Sequence, residues 1–379
     1  MSDIIDRVFG SWEKGRNVLL YGPPATGKTR LISQIFERLK QPQIDNRGIV
    51  LDPSDTSSLP FSRPTKESNI PQPAKVVWST FHQSYGYEDF VLGLRPSGGQ
   101  EGLRLIPWAG IFLDAALELS DPRSEYKSVV IFIDEINRGN AAKIFGEFMT
   151  FLDFDYRQEG NFPLPLPLRQ LTFNDSISEP IKRLNGEEVT IPQEFVFPKN
   201  IYIVATMNSV DRAVVPIDSA LARRFDRIEM RPNMQVLADF WKLDLSKINK
   251  NWEDMSVFET AYRVLEKINY IIAVDLGTEF ELGHGMLMSL DRDIPESEAW
   301  FVFARLWDEV IYPQIEDRFS GREDKIFDVL KIGSLSDSSY AWVERKISGR
   351  DDVGRVINPV QMHKLELETI KRSFKWLVA

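Results

Sequence analysis

Gly22-Pro23-Pro24-Ala25-Thr26-Gly27-Lys28-Thr29 fits the pattern G-x-x-x-x-G-K-[ST], in which glycines let backbone N–H groups turn onto phosphate oxygens. Its flanks are the ones the pattern needs. Asn17-Val18-Leu19-Leu20-Tyr21 is a short apolar run that reads as a buried strand, and Arg30 to Leu39 carries Leu31, Ile32, Ile35, Phe36 and Leu39 at helical spacing. In such a unit the helix N-terminus adds its positive end, Lys28 reaches the outer phosphates and the Thr29 hydroxyl can ligate Mg²⁺. The candidate cofactor-binding residues are therefore Gly22, Pro23, Pro24, Ala25, Thr26, Gly27, Lys28 and Thr29.

A chain of 379 residues with 43% hydrophobic content has room for a sizeable core and more than one unit. Lys plus Arg come to 46 against 56 Asp plus Glu, a net charge of -10. The surface as a whole therefore repels nucleic acid, and DNA contact must be local or supplied by a partner. There is no cysteine, which excludes a disulfide framework and a thiolate metal site, and three histidines are too few to suggest a metal centre. Met1 to Gly15 carries Asp3, Asp6 and Glu13 and no apolar segment, so it does not read as a signal peptide. No apolar stretch approaches a membrane span, and the expected location is the cytoplasm.

Downstream of the loop, Ile4 to Trp12 having already read as a short helix, residues 52–73 are rich in Pro, Ser and Thr and read as a surface insertion. Val76 to Phe81 reads as a strand, Gly93 to Gly102 as a glycine-rich loop, and Trp108 to Leu119 as a helix. Val129-Val130-Ile131-Phe132-Ile133-Asp134-Glu135 is an unbroken apolar run ending in two carboxylates, as a central parallel strand does when its carboxyl end faces a ligand. Ala141 to Leu152 reads as a helix, and 162–200 as an insertion with a hairpin at Asn185-Gly186. The strand Ile201 to Thr206 runs into Met207-Asn208-Ser209-Val210-Asp211-Arg212, and a helix is expected from Pro216 to Arg223. After Pro232 only helical periodicity remains, at Met234 to Trp241, Val257 to Ile271, Trp300 to Ile311, Lys325 to Ile332 and Met362 to Trp376. The expected fold is an α/β P-loop core over 1–232, a parallel sheet with flanking helices, followed by a smaller helical lid over 233–379.

Phosphoryl transfer to water needs a phosphate cradle, a metal, a group to orient the water and cations for the developing charge. Asp134 can hold the Mg²⁺ hydration shell, and Glu135, one residue on, can polarise the water. Asn208, at the end of the next strand, can hold that water or the terminal phosphate, or can be a turn residue chosen for its tolerance of left-handed geometry. Arg223 and Arg224 either complement the dipole of the helix they close or reach a neighbouring subunit's nucleotide.

These residues together resemble an AAA+ motor, and more narrowly the McrB family of GTP-hydrolysing restriction motors. The narrower resemblance is carried by Thr80 to Phe90 (TFHQSYGYEDF), by Asp134-Glu135-Ile136-Asn137-Arg138-Gly139-Asn140 and by Met207 to Arg212, with a weaker echo at Leu282-Gly283-His284-Gly285. It implies an AAA+ fold, a hexameric ring with shared nucleotide sites, GTP with ATP as the alternative, and a McrC-like nuclease or stimulating subunit. By resemblance Asp134 and Thr29 hold the metal, Glu135 activates water, and Asn208 and Asp211 are the signature Asn and Asp. Arg223 and Arg224 are donated across the interface, with Arg138 also there. Asn208-Ser209-Val210-Asp211 departs from the usual Asn-Thr-Ala-Asp while keeping its polar ends. Ala25 replaces a glycine usual at that position, which is tolerable if its φ stays below zero. The stretch before Asn17 is too short for the DNA-reading domain that family members often carry, so DNA is expected to be met through a partner or the pore. Asn249-Lys250-Asn251-Trp252 lacks the aspartate of the guanine-selecting Asn-Lys-x-Asp and is set aside. Two other functions share the same loop: a MoxR-like ATP-driven protein-remodelling chaperone, and a non-catalytic ring whose assembly nucleotide controls.

Overall fold

The structure, a computed structural model, describes residues 2–39, 43–44, 50–51, 70–99, 102–157, 180–191, 195–210, 218–331, 344–345, 356–357 and 361–379. Most of the insertion expected at 52–73, Asp211 and Arg212 lie outside these residues. Two compact units are present: residues 1–21 with 28–229, and residues 22–27 with 230–379.

The first unit is built on five strands: β1 (Asn17–Gly22), β2 (Ala74–Thr80), β3 (Ser128–Asp134), β4 (Ile201–Asn208) and β5 (Phe225–Glu229). They lie in the order β5-β1-β4-β3-β2, a parallel sheet. β3 and β4 are apolar without alternation because both of their faces are covered, so Val129 to Ile133 and Ile201 to Ala205 are buried. β5 is a strand that periodicity does not anticipate. It lies at the sheet edge, where only Phe225 and Ile228 are buried, and Asp226 pairs outward with Arg16 at 3.1 Å. Helices α1 (Ser2–Glu13), α2 (Lys28–Arg38) and α3 (Ile111–Ser120) flank this sheet. Packed against it is an aromatic cluster in which Phe90 contacts Phe81, Phe112 and Phe145.

Three expectations are corrected here. Gly93 to Gly102 is not a loop: Leu92–Gly99 and Gly102–Ala109 pair antiparallel from Leu92↔Ala109 to Gly99↔Gly102. The helix expected from Trp108 accordingly starts at Ile111. The helix expected over Ala141 to Leu152 breaks after α4 (Ala141–Phe145), because Gly146 takes φ 52° against Tyr87 and the chain continues as a 3-10 turn. The Asn185-Gly186 hairpin is present, with Ile181–Lys182 antiparallel to Glu188–Val189 and Gly186 at φ 89°. Its Arg183 is buried and holds Asp114 and Glu118 of α3 at 3.0 and 2.6 Å.

The second unit is helical. It contains α5 (Met234–Trp241), α6 (Val257–Asp275), α7 (Glu296–Leu306), α8 (Tyr312–Arg318), α9 (Glu323–Leu330) and α10 (Leu367–Val378). A Ser256–Glu259 capping box starts α6, and Trp241, Trp300, Trp307 and Phe374 fill the core. The helix expected from Trp300 to Ile311 is an α-helix to Leu306 followed by a π-turn, Trp307–Ile311. Glu344–Arg345 and Val356–Ile357 form a small antiparallel ladder among the helices. Among the described residues no helix is long and apolar enough to cross a membrane.

Candidate nucleotide site

β3 delivers Asp134 to its carboxyl end, and the chain turns there on Glu135, which takes φ 53° and ψ 49°. A left-handed glutamate costs about 1–3 kcal/mol and persists where surrounding contacts over-determine it. Those contacts are present. The register Ala205↔Ile133 sets Thr206 of β4 beside Asp134. The Thr206 hydroxyl donates to Asp134 Oδ1 at 2.5 Å and accepts from the Glu135 N–H at 3.0 Å. The Glu135 carboxylate is held on both oxygens: Asn208 Nδ2 donates to Oε1 at 3.3 Å, and Arg138 Nε lies 2.5 Å from Oε2. Asn137 Nδ2 donates to the Asn208 carbonyl at 3.1 Å and ties the two strand ends together. Thr206 is the site residue that sequence reasoning missed. Its signal was its place, two residues before Asn208 on a strand adjacent to the one ending in Asp134.

Lys28 opens α2 and is buried, with 8% of its surface exposed. Burial lowers its pKa from the usual 10.5 to about 8, against the opposing pull of Asp134 and Glu135. Lys28 is thus a lysine drawn out of water beside the carboxylates of Asp134 and Glu135. Thr29, the next residue, is exposed. Within the loop, Thr26 is buried and its hydroxyl donates to the Pro23 carbonyl at 2.9 Å. Ala25 does not meet the condition stated for it above: its φ is 59°, not below zero. The loop keeps the left-handed step a glycine would make and lets alanine make it.

Arg224 is held within its own chain. Its Nε lies 2.9 Å from Asp153 Oδ2 and its Nη1 donates to the Ala220 carbonyl at 2.7 Å. Arg223 is exposed, and its carbonyl accepts from Arg16 Nη2 at 2.6 Å. The expected helix before them shortens, among the described residues, to Ser219–Ala222, capped by the Asp218 side chain. Glu135, Asn208 and Arg138 thus come together with Asp134 and Lys28, and Arg223 and Arg224 stand apart from that group.

Among the described residues no three His, Cys, Asp or Glu side chains gather as a metal cage. A Mg²⁺ ion carried on nucleotide phosphates asks for only one or two protein oxygens. Asp134, oriented through Oδ1 by Thr206, and the exposed Thr29 hydroxyl fit that demand.

Comparison with known proteins agrees with this architecture. Residues 68–225 match the AAA domain (dynein-related subfamily), and residues 260–327 match the McrB alpha-helical lid domain. The chain is 31% identical over 276 residues to the Type IV methyl-directed restriction enzyme EcoKMcrB subunit of Escherichia coli (strain K12), covering 71% of this chain and 46% of that one. It is 28% identical over 248 residues to the Type II restriction enzyme BsuMI component YdiS of Bacillus subtilis (strain 168), covering 63% of this chain and 65% of that one. The match thus spans less than two thirds of either relative. A parallel sheet in this order, a phosphate loop after β1 and a helical lid define an AAA-domain protein of the P-loop class. Within that class the chain is McrB-like, a McrB-like AAA domain followed by a McrB lid domain.

Proposed function

We propose that this chain is the motor subunit of a McrBC-like restriction or antiviral complex, a nucleoside triphosphatase that favours GTP over ATP, forms a homo-oligomeric ring of six and drives a McrC-like nuclease partner. The observation that carries the catalytic half is Glu135, whose carboxylate is gripped by Asn208 and Arg138 in left-handed geometry beside Asp134 and the buried Lys28. A carboxylate so held takes the proton of an attacking water, while Asn208 keeps that water in line. Lys28 and the backbone of 22–27 hold the triphosphate, and by the family resemblance Asp211 is the signature aspartate that accompanies Asn208. Mg²⁺, when bound through Thr29 and Asp134, neutralises charge on the phosphate oxygens. The exposed Arg223 suits a cation acting on a neighbouring subunit's nucleotide, and Arg224 holds its helix to Asp153 behind it.

The restriction setting is supported by the two relatives, each a restriction-enzyme component by name. The GTP preference rests on the family resemblance. A net charge of -10 favours DNA met through the partner or the ring's pore. The test is phosphate release from GTP and from ATP, each with and without the co-encoded partner. Turnover of GTP stimulated by the partner is expected. Hydrolysis of ATP alone overturns the GTP assignment, and no turnover under any condition overturns the motor reading.

A further inference from the structure

Ala25 takes a left-handed conformation that is unfavourable for alanine, because its Cβ crowds the carbonyl that follows. Something outside the residue must hold it. Within the second unit, the turn Leu282-Gly283-His284-Gly285 lies directly on it, and the Gly285 N–H donates to the Ala25 carbonyl at 2.9 Å. The approach is backbone on backbone. A Cβ on Gly283 would stand 2.1 Å from the Pro24 oxygen and 2.4 Å from both carbonyl atoms of Ala25, and one on Gly285 would stand 2.9 Å from the Ala25 oxygen. Neither glycine has a left-handed φ, so the absent side chain, not conformational freedom, is what the position requires.

The turn is itself fastened. Asn269 of α6, buried, brackets Leu282 by donating to its carbonyl at 2.9 Å and accepting from its N–H at 2.6 Å. Arg318 Nε donates to the Phe280 carbonyl at 2.6 Å, and Glu281 pairs with Arg231 at 2.8 Å. His284 Nδ1 accepts the Asn233 N–H at 3.1 Å. The turn is thus held at Phe280, Glu281, Leu282 and His284, on either side of Gly283.

We propose that the Gly283–Gly285 turn is a backbone latch that holds Ala25 left-handed and thereby sets the phosphate loop for a triphosphate, making Gly283 and Gly285 positioning residues of the site. The latch rests on the nucleotide reading above. It couples the helical lid's own packing to the shape of the phosphate cradle.

Binding of N-methylanthraniloyl-GTP and N-methylanthraniloyl-ATP with Mg²⁺, followed by fluorescence on the full chain, tests it. Gly285→Ala and Gly283→Ala are expected to raise Kd at least about tenfold, with far-UV spectra unchanged. Ala25→Gly placed in the Gly285→Ala background is expected to bring Kd back to within about threefold of the unmodified chain, since glycine keeps left-handed geometry unaided. A merely structural defect would not be repaired that way. Should Gly283→Ala fail to fold, Gly285→Ala, with a single tight contact, decides. Gly285→Ala binding within about twofold of the unmodified chain overturns the latch alone, as does failure of Ala25→Gly to restore binding. An unmodified chain that binds neither probe overturns the nucleotide reading and the latch with it.

Discussion

Arg138 closes onto Glu135 from three residues downstream on the same turn, with Nε 2.5 Å from Oε2, while Asn208 from the neighbouring strand holds Oε1 at 3.3 Å. The carboxylate is thereby aimed before any nucleotide arrives. Two donors, one on each carboxylate oxygen, leave the group oriented, a geometric condition that a water-activating base needs.

Glu135→Gln replaces one of those acceptor oxygens by a donor amide and removes the base while leaving Lys28 and the loop intact. It is expected to keep nucleotide affinity within about threefold and to lose turnover by about 10²–10⁴-fold. Phosphate release beside a fluorescence titration checks both halves. Turnover at the unmodified rate would remove Glu135 from the role of base.

Thr206 is buried and serves two neighbours at once, Asp134 Oδ1 and the Glu135 N–H. Thr206→Val keeps the shape and leaves that N–H without its acceptor, which should cost about 1–3 kcal/mol. Urea denaturation should show a lower midpoint at unchanged slope, together with slower turnover, and Thr206→Ser should restore both. An unchanged midpoint in the valine variant would mean that the hydroxyl is not what holds the strand ends.

The parts of this site that can be read from the chain are those that repeat locally. Asp134, Glu135 and Asn208 announce themselves because each ends an apolar run. Thr206 and the left-handed Glu135 do not, since both depend on how β4 lies against β3. The same division runs through the fold. β1 to β4 are legible as buried runs, whereas β5, with Asp226, Arg227 and Glu229 among its five residues, looks polar because it sits at the edge. The glycines from Gly93 to Gly102 read as a loop, because strand pairing there comes from a partner strand and not from β-propensity. Local sequence leaves the sign of the φ at Ala25 open. The turn that holds it left-handed lies some 260 residues away in sequence, at Gly285, beyond any local signal.

Lys28 makes the site sensitive to pH. Held at about 8 instead of 10.5, chiefly by burial, it is less protonated folded than unfolded between those values. Stability of the nucleotide-free chain should therefore rise as pH climbs from 8 to 10.5, and below 8 the buried charge costs the folded state about 3 kcal/mol. Lys28→Met should raise the melting temperature at pH 7 while abolishing triphosphate binding. A bound triphosphate restores the lysine's charge, so binding at pH 8 should take up protons and binding at pH 6 should not. Calorimetry in buffers of differing ionisation enthalpy reads this directly. Equal apparent enthalpies at pH 8 would mean that Lys28 does not face the phosphates.

The adjacent arginines should separate in experiment, because their surroundings differ. Arg224 is 10% exposed and spans Asp153 and the Ala220 carbonyl, so Arg224→Ala should lower stability by about 1–3 kcal/mol. Arg223 is exposed, and among the described residues nothing pairs with its guanidinium. Arg223→Ala should leave the melting temperature unchanged and lower turnover by about 10³–10⁵-fold, the contribution of an arginine supplied to a neighbour's phosphates. Mixing Arg223→Ala with Glu135→Gln chains then builds some interfaces with an intact base on one side and an intact arginine on the other. Activity should reappear in that mixture alone. If it does not, Arg223 acts, if at all, within its own chain, and the shared-site reading of the ring falls with it.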